Sequence, residues 1–232
     1  MFFSHTSYLP SAAQFMHKVY AWMFAGLTIT AAVAYGMFAY PALLVYLLSS
    51  KLAFYGILAV QFGLVIYLSA SIATMSYQSA VMSFLAYAAL MGVTLSPIFL
   101  VYTMASIALT FASAACMFGG MALYGYATQT DLSRMGSLLV MALWGLIVAS
   151  VLNGFFASSG FEYLLSWVGV LIFAGLTAYD IQKLKFLAYQ LHQESDAKLT
   201  SKIAIMGALQ LYLDFINLFL YMLKIMGKKR DR

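Results

Sequence analysis

The chain has 232 residues, 64% of them hydrophobic and only 8% charged, with a formal net charge of +5. These proportions exclude a soluble globular domain, in which about a quarter of residues are charged. Residues 52–130 contain no Asp, Glu, Lys or Arg, and at about 20 residues per crossing that stretch alone demands about three membrane helices.

The N-terminus reads MFFSHTSYLPSAAQFMHKVY. It lacks a basic region leading to a small-residue cleavage site, so it does not read as a signal peptide. Ser11 and Gln14 have capping-box spacing after Pro10, which predicts a helix start just before the bilayer. Breaks in the apolar pattern then predict spans over 19–39, 52–75, 80–101, 105–127, 135–156 and 163–182. An apolar stripe extends the sixth span to about 191, with Lys183 and Lys185 able to snorkel. A seventh, less apolar span covers 202–224. Residues 1–232 therefore read as one all-α transmembrane domain, a seven-helix bundle.

Within these spans, Pro97 removes a backbone donor and predicts a kink in the third helix. Ala112, Cys116 and Gly120, with Ala115 and Gly119, form small-residue rows on the fourth, where a neighbouring helix is expected to pack closely. Asp131 is placed to cap the fifth helix, with Arg134 on its first turn. Cys116 is the only cysteine, so the chain has no internal disulfide framework, and no residue spacing marks a metal site.

Basic residues define sidedness poorly. With a cytoplasmic N-terminus and seven crossings, Lys18, Arg134, Lys183, Lys185, Lys198 and Lys202 lie inside. Lys51, Lys224, Lys228, Lys229, Arg230 and Arg232 lie outside, and the two sides tie. Re-entry of the last segment would put every one except Lys51 inside, so the charge rule favours re-entry or an unusual tail placement. A cytoplasmic N-terminus is expected and the side of the tail stays open. Basic flanks of membrane helices are topology signals and imply no nucleic acid partner.

The chemistry concentrates in two aspartates. Asp180 and Asp214 lie inside apolar helical segments, where a charge costs about 2.5–3.5 kcal/mol and persists only with a partner, proton or cation to hold. The midpoint between them is residue 197, within the polar run HQESDAK at 192–198. In an antiparallel hairpin turning there, both carboxyls stand about 25 Å from the turn, at 1.5 Å per residue. Gln210, Asp214, Asn217 and Tyr221 form one polar stripe on the last helix. Such a helix avoids lipid by taking the centre of the bundle or lining a water-filled cavity. The plain structural role of the stripe is interhelical hydrogen bonding, and Asp180 alone could pair locally with Lys183. If the carboxyls meet, like charges in low dielectric oblige them to share one proton. Hard oxygen ligands would also hold Ca²⁺ weakly, as a permeant or loosely bound ion in competition with protons.

The segments GVTLSPIF (92–99), MALYGYATQTDLSRMG (121–136), ASVLNGFF (149–156), GLTAYDIQKLK (175–185) and LYLDFINLFLYML (211–223) resemble the Bax inhibitor-1, or transmembrane Bax inhibitor motif, family. The resemblance covers nearly the whole chain after the first helix and points to a bacterial inner-membrane, multi-pass member. It implies a bundle with the C-terminal helix at its centre. It also implies a pH-sensitive calcium leak governed by an aspartate pair, here Asp180 and Asp214. One departure stands out. Calcium-conducting bacterial relatives carry an arginine near the end of the second helix, where this chain reads YLSASIATMS (67–76). Closure would then fall to Ser69 or Ser71, to the shared proton, or to Arg134.

Two other functions compete. A non-conducting regulator that binds other membrane proteins, such as a membrane protease, fits the missing arginine. An intramembrane aspartyl protease fits Tyr179-Asp180, but its second aspartate should follow Gly-x-Gly and Asp214 follows Tyr212-Leu213. The expectation is a protein that is not an enzyme and needs no cofactor, with the bilayer, calcium and protons as its partners.

Overall fold

A computed structural model describes residues 9–194 and 197–230. Among the described residues the chain is helical throughout: α1 (Leu9–Ala39), α2 (Pro41–Ser49), α3 (Lys51–Ser71), α4 (Tyr77–Leu95), α5 (Ile98–Val101), α6 (Met104–Ala127), α7 (Ser133–Phe156), α8 (Ser159–Glu194) and α9 (Ala197–Met226). Seven helical spans are long and apolar enough to cross a membrane, covering 12–39, 51–71, 77–101, 104–127, 133–156, 159–191 and 199–226. The chain is an all-α, seven-helix membrane protein, as its composition and periodicity predict.

The differences from the expected boundaries have local causes. Helix α1 begins at Leu9, ahead of the Ser11 start, because Pro10 is tolerated in a first turn where no backbone donor is needed. The side chain of Ser11 and those of the 192–198 turn lie outside the described residues. The break expected at 40–51 contains α2, nine residues led by Pro41 and, at about 13 Å, too short to cross. Elsewhere hydroxyls fix the starts. Ser50 caps α3 through Ala53 N (3.2 Å), Ser76 caps α4 through Ser79 N (3.1 Å), and Thr103 caps α6 through Ser106 N (3.3 Å).

The third span breaks where Pro97 predicts. Helix α4 stops at Leu95, and the Ser96 hydroxyl donates to Val93 O (2.7 Å). The carbonyl that a residue-97 amide would have used thus has another donor, and the chain resumes as the single turn α5. Pro97→Ala restores that amide and is expected to fuse α4 with α5, slowing hydrogen exchange at Phe99–Val101. Unchanged exchange there would remove proline as the cause of the break.

The chain forms two compact units, residues 1–101 with 187–212, and residues 102–186 with 213–232. In the first, α1 lies against α4 so closely that a Cβ on Gly92 would stand 2.6 Å from Thr30 O. Thr30 donates to Ala88 O (2.8 Å), so the Tyr212 hydroxyl must donate to Thr30 (2.6 Å). The Tyr212 ring meets Phe84 and Tyr87 edge-on, each at 6.0 Å. Lys202 on α9 donates to Ala73 O (2.8 Å) and Met75 O (3.1 Å) in the loop after α3.

In the second unit the buried stripe of α6 is Thr110, Ala114, Phe118, Ala122 and Gly125. Cys116 and Gly120 are exposed, and nothing lies within 4 Å of a Cβ built on Gly119 or Gly120. The expected close packing on the small-residue rows is therefore corrected. Phe118 meets Phe215 edge-on (5.6 Å), and Gly125 meets the backbone of Ala178; both turn the rows outward. The last helix does not re-enter. It runs unbroken through 197–226, and the tail ties to the start of α6 through Thr103 N to Lys228 O (3.1 Å) and Lys228 N to Ser106 Oγ (2.8 Å). Packing of the tail overrides the charge bias that favours re-entry. In the last two spans 67% of the apolar window is buried, against 11–28% elsewhere.

Candidate functional site: a buried aspartate pair

Asp180 on α8 and Asp214 on α9 are 4% and 5% exposed. The Asp180 carboxyl stands close enough to act electrostatically on that of Asp214. Two carboxylates this close in low dielectric are eased by a proton held between them. Asp214 Oδ2 is buried with no hydrogen-bond partner. An orphaned carboxyl oxygen is costly, and it is the atom on which a proton, water or hard cation gains most.

Four features place Asp180. Gly125 lets α6 approach until a Cβ there would be 2.2 Å from Ala178 O. Gly136 similarly receives the Tyr179 ring. Beyond the aspartate, the buried Gln182 amide accepts from Leu132 N (2.9 Å) and donates to Thr130 O (2.8 Å), clamping the loop between α6 and α7. Lys185 then donates to Tyr126 O (2.8 Å) and lies over the Tyr126 ring. Sequence reasoning passed over Gln182, although it is a buried polar residue beside Asp180 in the same motif. Gln182→Ala leaves the buried Leu132 N–H without its acceptor and is expected to cost about 1–3 kcal/mol, read as a lower Tm in detergent. An unchanged Tm would show that water replaces the amide there.

The remaining expected site residues are distributed along the chain. On α9, Asn217 donates to Leu213 O of its own helix (2.8 Å), and Tyr221 stacks on Phe173 (5.9 Å). Gln210 is half-buried in the first unit, as is Ser71, whose carbonyl accepts from Met75 N (2.9 Å). Ser69 is exposed, and Pro97 forms the α4–α5 break. Arg134 is exposed on the first turn of α7 and supports Asp131 electrostatically. Asp131 is not the helix cap: that position is Leu132, and Asp131 accepts from Ser133 N (2.9 Å) in a turn. Hydrogen bonds from Ser133, with a smaller contribution from Arg134, hold the Asp131 carboxyl below its usual range.

Among the described residues no three His, Cys, Asp or Glu side chains converge, whereas a calcium cage takes about six to eight oxygens.

An all-α membrane protein whose two most buried spans meet through a carboxyl pair is a narrow class. Residues 12–231 match the family described as Inhibitor of apoptosis-promoting Bax1, and the chain belongs to this Bax inhibitor-1 family. It is 46% identical over 216 residues to inner membrane protein YbhL of Escherichia coli K12, covering 93% of this chain and 92% of YbhL. It is 44% identical over 218 residues to an uncharacterized protein of Borreliella burgdorferi, covering 94% and 93%. An uncharacterized membrane protein of Streptococcus pyogenes is 35% identical over 218 residues, covering 93% of each chain. The protein is thus a multi-pass protein of the bacterial inner membrane, in a family not known for enzymes.

Proposed function

We propose that this protein is a pH-sensitive, calcium-permeable leak gated by Asp180 and Asp214. The observation that carries the proposal is the pair of neighbouring carboxyls buried in two apolar spans, with an orphaned oxygen on Asp214. The shared proton joins α8 to α9. Its loss leaves two anions a few ångströms apart in low dielectric, which favours either separation of the helices or capture of a cation. Protons and calcium compete for the same oxygens, so acid closes the leak. The joint needs no basic residue on α3, which accommodates the neutral sequence at 67–76.

Calcium flux into liposomes containing only this protein tests the reading. Flux above that of empty liposomes, rising with pH, supports it. No flux at any pH would overturn it in favour of a non-conducting membrane regulator.

A further inference from the structure

Within the second unit a cavity of about 350 Å³ lies between the end of α7, the start of α8 and the end of α9. Its wall mixes apolar and polar groups, with Asn153, Ser159 and Ser166 beside an ion pair, Glu162–Lys224, at 3.0 Å. The two charged side chains are 53% and 46% exposed, so water reaches the cavity. Two α9 residues line it, Lys224 and Tyr221, and Tyr221 is the nearer to Asp214 along the helix.

Tyr221 is seated tightly. Its ring stacks on the buried Phe173 at 5.9 Å and 23°. It also lies on Gly169, where a Cβ would stand 2.6 Å from ring carbons. Phe173 precedes Asp180 by the same distance along α8 that Tyr221 follows Asp214 along α9. In the antiparallel pair, the rings and the carboxyls are therefore successive layers, about 10 Å apart at 1.5 Å per residue. A ring face attracts a cation, as the Lys224 ammonium 5.9 Å from the Tyr221 centroid shows, but it supplies none of the oxygen ligands that a hard cation loses with its water. We infer that the cavity is an aqueous vestibule for hydrated cations, and that the Phe173–Tyr221 ring pair is the barrier between it and the aspartate pair. The consequence for flux rests on the leak proposed above; the consequence for water access does not.

Asn217 lies between Asp214 and Tyr221 on the same stripe and reports water access behind the barrier. In a Cys116→Ala background reconstituted in nanodiscs, Asn217→Cys should react with a water-soluble methanethiosulfonate reagent about tenfold more slowly than Lys224→Cys in the vestibule. Adding Tyr221→Ala should remove most of that difference, and Tyr221→Phe should preserve it. Gly169→Ala, which keeps the ring but displaces it from its seat, should also accelerate the reaction. Equal rates at 217 and 224 with Tyr221 intact would overturn the barrier. So would protection that persists in both the Tyr221→Ala and Gly169→Ala proteins. If the rates follow the expected pattern while calcium flux stays at background, the barrier stands and the leak alone is refuted.

Discussion

Calcium flux through the reconstituted protein is expected to rise as pH is raised, and Asp180→Asn and Asp214→Asn are each expected to abolish that rise. The sign follows from the proton that the carboxyl pair shares. While it is present, a hydrogen bond between the two carboxyls would hold α8 to α9 at the level of the aspartates. When it leaves, two unit charges about 4 Å apart repel by about 4 kcal/mol at an effective dielectric near 20. That is close to a thousandfold change in an equilibrium between joined and parted helices, at about 1.4 kcal/mol per decade. An asparagine amide donates a permanent hydrogen bond to the remaining carboxylate and cannot be deprotonated. Each variant should therefore stay in the closed arrangement, with flux reduced about tenfold or more at high pH and a flat pH profile. Wild-type flux in both variants at every pH would refute a gate at this pair. Asp131→Asn is the matched control: its carboxylate is fully exposed in the α6–α7 turn, and the flux–pH curve should not change.

The proximity of Asp180 to Asp214 was legible because the chain is so poor in charge. Two acids at equal distances from one polar turn mark a common height, and helical periodicity places the later one on a polar stripe. Seven spans were legible for the same reason, since long apolar runs between polar breaks leave few alternatives. What escaped depends on which way each helix faces. On α6 the small residues at 112, 116 and 120 suggested a packing surface, but the contact runs through Ala114, Phe118, Ala122 and Gly125. Both rows are regular, and only the partner helix distinguishes them. Helix α2 escaped because a nine-residue segment led by Pro41 is too short to cross and falls in the break between two spans. The tail escaped because its position is fixed by hydrogen bonds to the 102–106 segment, which charge counting does not sense. Gln182 carried a readable signal, a polar side chain inside the motif around Asp180, yet its function depends on two loop backbone groups distant in sequence.

The contrast among the α6 glycines yields the second large expected effect. Gly125→Ala would put a methyl carbon 2.2 Å from Ala178 O, 2.8 Å from its carbonyl carbon and 2.9 Å from its Cα. All three are backbone atoms, so no rotamer change relieves the overlap and α6 and α8 must move apart. Overpacking of this kind costs about 1–3 kcal/mol. Gly119→Ala and Gly120→Ala meet nothing within 4 Å. These two gain helix propensity, worth up to about 1 kcal/mol each. Thermal unfolding in detergent should therefore rank Gly125→Ala below wild type and the other two at or above it. Ala178 lies two residues before Asp180 on the same helix, so the displacement reaches the carboxyl that α8 contributes to the pair. Gly125→Ala should consequently shift the flux–pH curve, whereas Gly120→Ala leaves it in place. If Gly125→Ala melts with Gly120→Ala, the approach of α6 to α8 is looser than the geometry requires. If it melts lower yet keeps the wild-type flux–pH curve, the contact serves stability alone, and the clamp formed by Gln182 and Lys185 suffices to position Asp180.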